Sequence, residues 1–180
     1  PWHSILVRFN GDIVPDGVYL KRYGNVLETP LNDLLNSYTA SYTRDSIRSG
    51  VLPPECEQCA LKEASVGHSR RKFFEDILNP MLKNKDYDYS KDFTDIYFLE
   101  FNMSNICNLK CRMCDGINSS AWVKDDLKLA QNGNPYFRRT DDPEFGYTNK
   151  SEQIIEKLFE DPTPFMNLRY LSIKGGEPYM

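Results

Sequence analysis

The stretch Asp95-Ile-Tyr-Phe-Leu-Glu-Phe-Asn-Met-Ser-Asn-Ile-Cys107-Asn-Leu-Lys-Cys111-Arg-Met-Cys114 decides how this chain is read. Its opening, Asp95 to Phe101, is a run of branched and aromatic residues that predicts a β-strand. The strand leads directly into three cysteines spaced by three and then two residues. Three thiolates on so short a loop reach a single metal centre, because the loop needs to curl only once. They are one ligand too few to saturate a cubane iron–sulfur cluster. An open metal position is the usual mark of a catalytic site rather than a structural one.

Outward from this loop the pattern alternates. A helix is expected from about Ser119 to Leu129, then a loop over 131–149 rich in Asn, Gly, Pro and Asp. A second helix is expected from Ser151 to Glu160, with Ile154, Ile155, Leu158 and Phe159 inward. Leu168-Arg-Tyr-Leu-Ser-Ile173 reads as a second strand, and Gly175-Gly176-Glu177-Pro178 turns the chain after it. Repeated strand–helix units argue for an α/β fold with a parallel sheet and helices outside. Functional loops of such folds sit at the carboxyl ends of strands. The cysteine loop and the glycine turn would therefore face the same end of the sheet, close together if the two strands are neighbours. The aromatic residues Tyr97, Phe98 and Phe101 are expected in the core. A chain that stops just after this strand and turn reads as part of a longer protein.

The N-terminal part is organised differently. Ser4–Phe9 and Asp12–Val14 flank Asn10-Gly11, which predicts a β-hairpin with a two-residue turn at positive φ. Thr29-Pro30-Leu31 reads as a helix start, with Thr29 as N-cap, Pro30 at the first helical position, and Leu31, Leu34 and Leu35 on one face. Another helix is expected from Ser69 to Leu78, with Phe73, Phe74, Ile77 and Leu78 as its apolar stripe. Residues 79–92 are polar and aperiodic and mark a linker. The chain thus divides into a small α+β module over 1–92 and a strand–helix region over 93–180.

Composition narrows the class. The chain has 180 residues, 40% of them hydrophobic, and a formal net charge of −4. That balance supports a core and argues against a nucleic-acid surface driven by bulk charge. No apolar run approaches the ~20 residues that span a bilayer. Five cysteines, an odd number in a charged chain, argue against a secreted disulfide framework and for reduced thiols in a cytoplasm, used as metal ligands. His3 and His68 are isolated. Arg70 and Arg71 open a helix whose default is a solvated face.

The three cysteines and the glycine turn together resemble the radical S-adenosylmethionine superfamily. Cys107, Cys111 and Cys114 match the family's Cys-x3-Cys-x2-Cys loop, and Gly175-Gly176-Glu177-Pro178 matches its Gly-Gly-Glu segment after the second strand. The resemblance covers roughly 93–180 and implies the start of a partial (β/α)6 TIM-like barrel. It implies that Cys107, Cys111 and Cys114 ligate a [4Fe–4S] cluster whose open iron is chelated by S-adenosylmethionine. Gly175, Gly176 and Glu177 would hold the methionyl ammonium. Reductive cleavage of the cofactor would give a 5′-deoxyadenosyl radical that abstracts hydrogen from a substrate, with peptides leading and small molecules open. The reductant would be a flavodoxin or ferredoxin. Met113 takes a place usually given to a bulky apolar residue and would shield the cluster or pack near adenine. Lys110 and Arg112 would offset the cluster's charge.

A second pair, Cys56 and Cys59, follows Pro53-Pro54 and reads as a metal knuckle or redox pair. Arg48 to Glu63, with Gly67-His-Ser69-Arg70, resembles the auxiliary-cluster region of radical enzymes with twitch or SPASM-type domains. Pro1-Trp2 and the hairpin fit that group, in which a cysteine commonly precedes the Pro-Trp and another follows the hairpin. Asp16 stands near the second of those places. An auxiliary iron–sulfur cluster, a zinc half-site and plain reduced cysteines stay open here. A different class of reading stays open too. Cys56/Cys59 and Cys111/Cys114 form two knuckles whose four thiolates suit a structural zinc, although this leaves Cys107 spare.

Overall fold

The computed structural model describes residues 1–17, 21–83, 89, 95–116, 118–133 and 150–177. They build a mixed α/β fold on a five-stranded open sheet of order β3-β2-β1-β4-β5. Strand β1 (Ser4–Val7) pairs antiparallel with β2 (Asp12–Val14), and β2 pairs antiparallel with β3 (Gly24–Asn25). On its other side β1 runs parallel to β4 (Phe98–Asn102), in the register Ser4↔Phe98 to Val7↔Phe101. Strand β4 in turn runs parallel to β5 (Tyr170–Lys174), from Phe98↔Tyr170 to Asn102↔Lys174. The N-terminal hairpin and the strand before the cysteine loop therefore share one sheet, continuous across the linker read at 79–92.

Period-2 alternation gives the central strands two covered faces. Leu99 and Phe101 of β4 join Ile5, Val7 and Ile13 in the larger core. Helix α1 (Leu31–Leu35) adds Leu31, Leu34 and Leu35 to it, and α6 (Ser151–Leu158) adds Ile154 and Leu158. On the opposite face Phe98 packs with Phe74 and Leu78 of α4 (Arg70–Leu82). A strand covered on both sides reads as a continuous apolar run, and every residue of β1 is buried. Strand β5, at the edge, is mostly exposed.

Several local expectations are corrected. The hairpin turn has three residues: Gly11 N–H donates to the Arg8 carbonyl at 2.8 Å, and Arg8 N–H donates to the Asp12 carbonyl at 2.9 Å. Of Asn10 and Gly11 only the glycine takes a positive φ, +93°. This is a type I turn closed by a glycine bulge, the next commonest hairpin after the two-residue one. Thr29 does not cap α1. Pro30, with ψ at 145°, is itself the N-cap, and its carbonyl accepts the N–H of Leu34 at 3.1 Å. Ser69 does cap α4, accepting from Lys72 N–H at 3.1 Å. That helix runs through Pro80 to Leu82, past the expected linker start.

Helix α2 (Tyr38–Arg48) is not foreseen by the sequence reading, because Ser and Thr mask its periodicity; Ser37 caps it. Helix α3 (Glu57–Val66) starts from Cys56 and ends on Gly67 at φ +70°. Helix α5 (Val123–Gln131) starts later than expected, after a run of turns from Ser119. The rest of the linker and of the 131–149 loop lies outside the described residues, apart from 79–83, 89 and 131–133. Among the described residues no helix is long and apolar enough to cross a membrane.

Candidate functional site

The two motifs converge at the carboxyl ends of β4 and β5, which are sheet neighbours as their pairing required. Beyond the last register pair, Met103 N–H donates to the Lys174 carbonyl at 2.9 Å. The glycine turn then folds back onto the approach to the cysteine loop. Gly175 and Gly176 have φ of +89° and +56°, where side chains are strained. A Cβ on Gly175 would stand 2.7 Å from the Ser104 carbonyl oxygen, and one on Gly176 would stand 2.3 Å from that of Ile106. Both glycines are thus required twice, by conformation and by backbone contact. Glu177 N–H donates to the Ile106 carbonyl at 2.8 Å, and Gly176 N–H donates to Asn118 at 3.2 Å. Pro178 and Met180 lie outside the described residues.

The cysteine loop presents its thiols outward. Cys111 and Cys114 are exposed and Cys107 is half-buried. Loss of hydration holds the Cys114 thiol above its ordinary range, and the negative charges of Cys111, Asp115 and Cys107 add to this. A thiol held up in this way gives up its proton when it binds a metal. Among the described residues no three His, Cys, Asp or Glu are gathered closely enough to hold a metal. Three thiols on one loop, two exposed and one half-buried, are by their chemistry the donor set that a cubane cluster with one open iron takes. Met113 is 94% exposed. Lys110 is paired with Asp125 and lies 5.5 Å over the Trp122 ring, so its charge is already met.

The segment after the loop holds it in place. The Ser120 hydroxyl accepts from Cys107 N–H at 3.2 Å and donates to the Cys107 carbonyl at 3.1 Å. The Ser119 hydroxyl donates to the Leu109 carbonyl at 2.7 Å, and the Trp122 indole N–H donates to the Cys111 carbonyl at 3.2 Å. Asp126, buried, accepts from Gly116 N–H. Sequence reasoning passed over these residues. A run of Ser, Ser and Trp just past the third cysteine was the available signal.

One further group was missed. Glu100, 4% exposed in the middle of β4, accepts from Arg70 of α4 and from Lys174 Nζ at 3.0 Å. Arg71 pairs with Glu63 of α3. The expected solvated arginine face is instead two ion pairs. The signal was a lone acid inside the apolar run Phe98-Leu-Glu-Phe101.

Cys56 and Cys59 stand apart from this end. They line a cavity of about 530 Å³ with Trp2, His3, Asp16 and Glu55. Burial pushes the Cys56 thiol up, and the charges of Asp16 and Cys59 add to this. His3 and Ser4 of this cavity lie where β1 begins, and Ser4 is in register with Phe98, the first residue of β4. The cysteine loop follows the last, Asn102, about 13 Å further at ~3.3 Å per residue. The two Cys-x-x-Cys pairs therefore sit at opposite ends of the parallel strands, which does not suit one shared zinc. Among the described residues no third ligand is gathered with Cys56 and Cys59.

No protein-family model, curated protein or solved structure matches this chain.

Proposed function

We propose that this chain carries the opening part of a radical S-adenosylmethionine enzyme, with β4, the helices that follow it and β5 as the first unit of a partial (β/α)6 barrel. One observation supports this most. The glycine turn is pressed onto the approach to the cysteine loop, with Gly176 against Ile106 and Glu177 N–H bonded to the Ile106 carbonyl. Motifs far apart in sequence are thereby held as one surface at the carboxyl ends of neighbouring parallel strands.

In this reading Cys107, Cys111 and Cys114 hold a [4Fe–4S] cluster. When bound, the cluster and S-adenosylmethionine supply reductive cleavage to a 5′-deoxyadenosyl radical that takes hydrogen from a substrate, a peptide or small molecule. The chain's own residues position and select. A methionyl ammonium donates, so it would be received by acceptors: the turn's carbonyls and the Glu177 carboxylate. Glycine at both positions lets the turn lie against the Ser104 and Ile106 backbone. A flavodoxin or ferredoxin in the cytoplasm would supply the electron.

The test is the iron, sulfide and zinc content per chain after anaerobic reconstitution, with the EPR spectrum of the reduced protein recorded with and without S-adenosylmethionine. About four irons and four sulfides, the content of one cubane, and a signal that changes on adding the cofactor are expected. One tight zinc without sulfide would overturn the reading.

A further inference from the structure

The three carbonyls of Cys107, Leu109 and Cys111 all end on the segment 119–122. Ser120 meets both polar groups of Cys107 with one hydroxyl, at 3.2 Å and 3.1 Å. Its own N–H donates to the carbonyl of buried Asn105 at 2.7 Å, so the hydroxyl is anchored from behind. Trp122 holds Cys111 through its indole N–H at 3.2 Å. The ring is fixed in turn by Lys110, whose ammonium lies 5.5 Å from its centroid and is paired with Asp125 at the start of α5. Ser119 takes the carbonyl between them.

These bonds have a common consequence. A peptide unit whose carbonyl is tied has lost rotation about its flanking bonds, so the direction of the adjoining Cα–Cβ bond is set as well. With alternate carbonyls of the loop turned to one segment, the thiols of Cys111 and Cys114 are left exposed. A loop whose backbone is held in advance loses less conformational freedom when its thiols close on a metal centre, and outer partners of metal ligands commonly matter for metal affinity.

We infer that Ser120 and Trp122 are positioning residues for the cluster, holding Cys107 and Cys111 by their backbones so that the loop retains iron. The inference rests on the radical S-adenosylmethionine reading. Each acts through the cysteine it holds.

The experiment uses the full chain and the variants Ser120→Ala, Ser120→Thr and Trp122→Phe. Each is reconstituted anaerobically with ferrous iron and sulfide, desalted, and challenged with a ferrous chelator while cluster absorbance is followed. Far-UV circular dichroism and the melting point of the metal-free chain check folding. Trp122→Phe keeps an aromatic ring for Lys110 while removing the indole N–H and part of the ring, and it leaves the Ser120 hydroxyl in place, so it stays informative if Ser120→Ala disturbs the turn. Ser120→Ala and Trp122→Phe should release iron about tenfold faster than wild type, an effect of the size of one hydrogen bond. Ser120→Thr, which keeps the hydroxyl, should match wild type. A wild type that loads beside Ala and Phe variants that release iron equally slowly overturns this inference alone. A wild type that takes up no iron and sulfide overturns the underlying reading, and this inference with it.

Discussion

Gly176 lies against the backbone of Ile106 so closely that a single added carbon would stand 2.3 Å from the Ile106 carbonyl oxygen and 2.9 Å from its nitrogen. The neighbour is main chain, which has no rotamer to move aside. Gly176→Ala is therefore expected to separate the glycine turn from the cysteine loop, breaking the Glu177–Ile106 hydrogen bond. Strain at φ +56° adds to the clash, and together they should cost about 2–4 kcal/mol. Gly67→Ala is the control, with φ +70° and nothing within 4 Å of the added carbon. It should lose only about 1 kcal/mol. Urea denaturation of the two variants checks the difference, and equal losses would sink the packing argument.

Glu100 ties three elements together, since Arg70 comes from α4 and Lys174 from β5. Glu100→Gln keeps the shape and removes the charge. The loss should be about 1.5–3 kcal/mol, the worth of hydrogen bonds to a charged group. It stays below the cost of stranding a fully buried ion, because Lys174 is 47% exposed and rehydrates. Arg70→Met should cost more than Lys174→Met, because Arg70 is only 26% exposed and also lies 5.2 Å over the Phe74 ring. Chemical denaturation of the three variants would show this order, and the reverse order would contradict it.

What was legible in the sequence is what local pattern controls. The runs before the cysteines and before the glycines are strands because branched and aromatic residues fit a pleated, covered surface, and their ends fall within about three residues of expectation. The pairing of β1 with β4 was not legible, because nothing in either run names its neighbour across the sheet. Helix faces were read one step too wide. Ile154 and Leu158, four apart, are buried, whereas Ile155 and Phe159, a residue further round, are 38% and 42% exposed. The thiols were visible by spacing alone. Their support was not, since a serine after a loop looks like any turn residue until its bond to Cys107 is seen.

The link between α3 and α4 should be acid-sensitive. Hydrogen bonds from Arg71 and Ser69 hold the Glu63 carboxyl down to about 2, below its ordinary 4.5. A carboxyl whose pKa is depressed on folding stabilises the fold above its ordinary value. That contribution is lost as pH falls through the folded value. The melting point of wild type should exceed that of Glu63→Gln at neutral pH, and the gap should close as pH falls from about 4.5 towards 2. The Arg71 end of the pair is half-exposed, so added salt should narrow the gap at neutral pH. A gap that persists at the acid end would show that Gln acts through packing rather than charge.

Cys107→Ala discriminates between the two metal readings because it removes one thiol and leaves both Cys-x-x-Cys pairs intact. In the radical reading two thiolates remain on the loop, too few to keep a cubane, so the S-adenosylmethionine-dependent EPR change should vanish. In the zinc reading Cys107 is spare, and zinc content should not move. Cys107 is half-buried, and its N–H and carbonyl bonds to Ser120 are made by the backbone and survive the change. Ala gives up the sulfur's weak bond from Leu109 N–H, so the metal-free variant should lose no more than about 1 kcal/mol of stability. Loss of iron with stability so little changed then reports ligation rather than unfolding. Retained zinc with no iron in either protein would instead require the two pairs to bind separately, because the strands hold them at opposite ends.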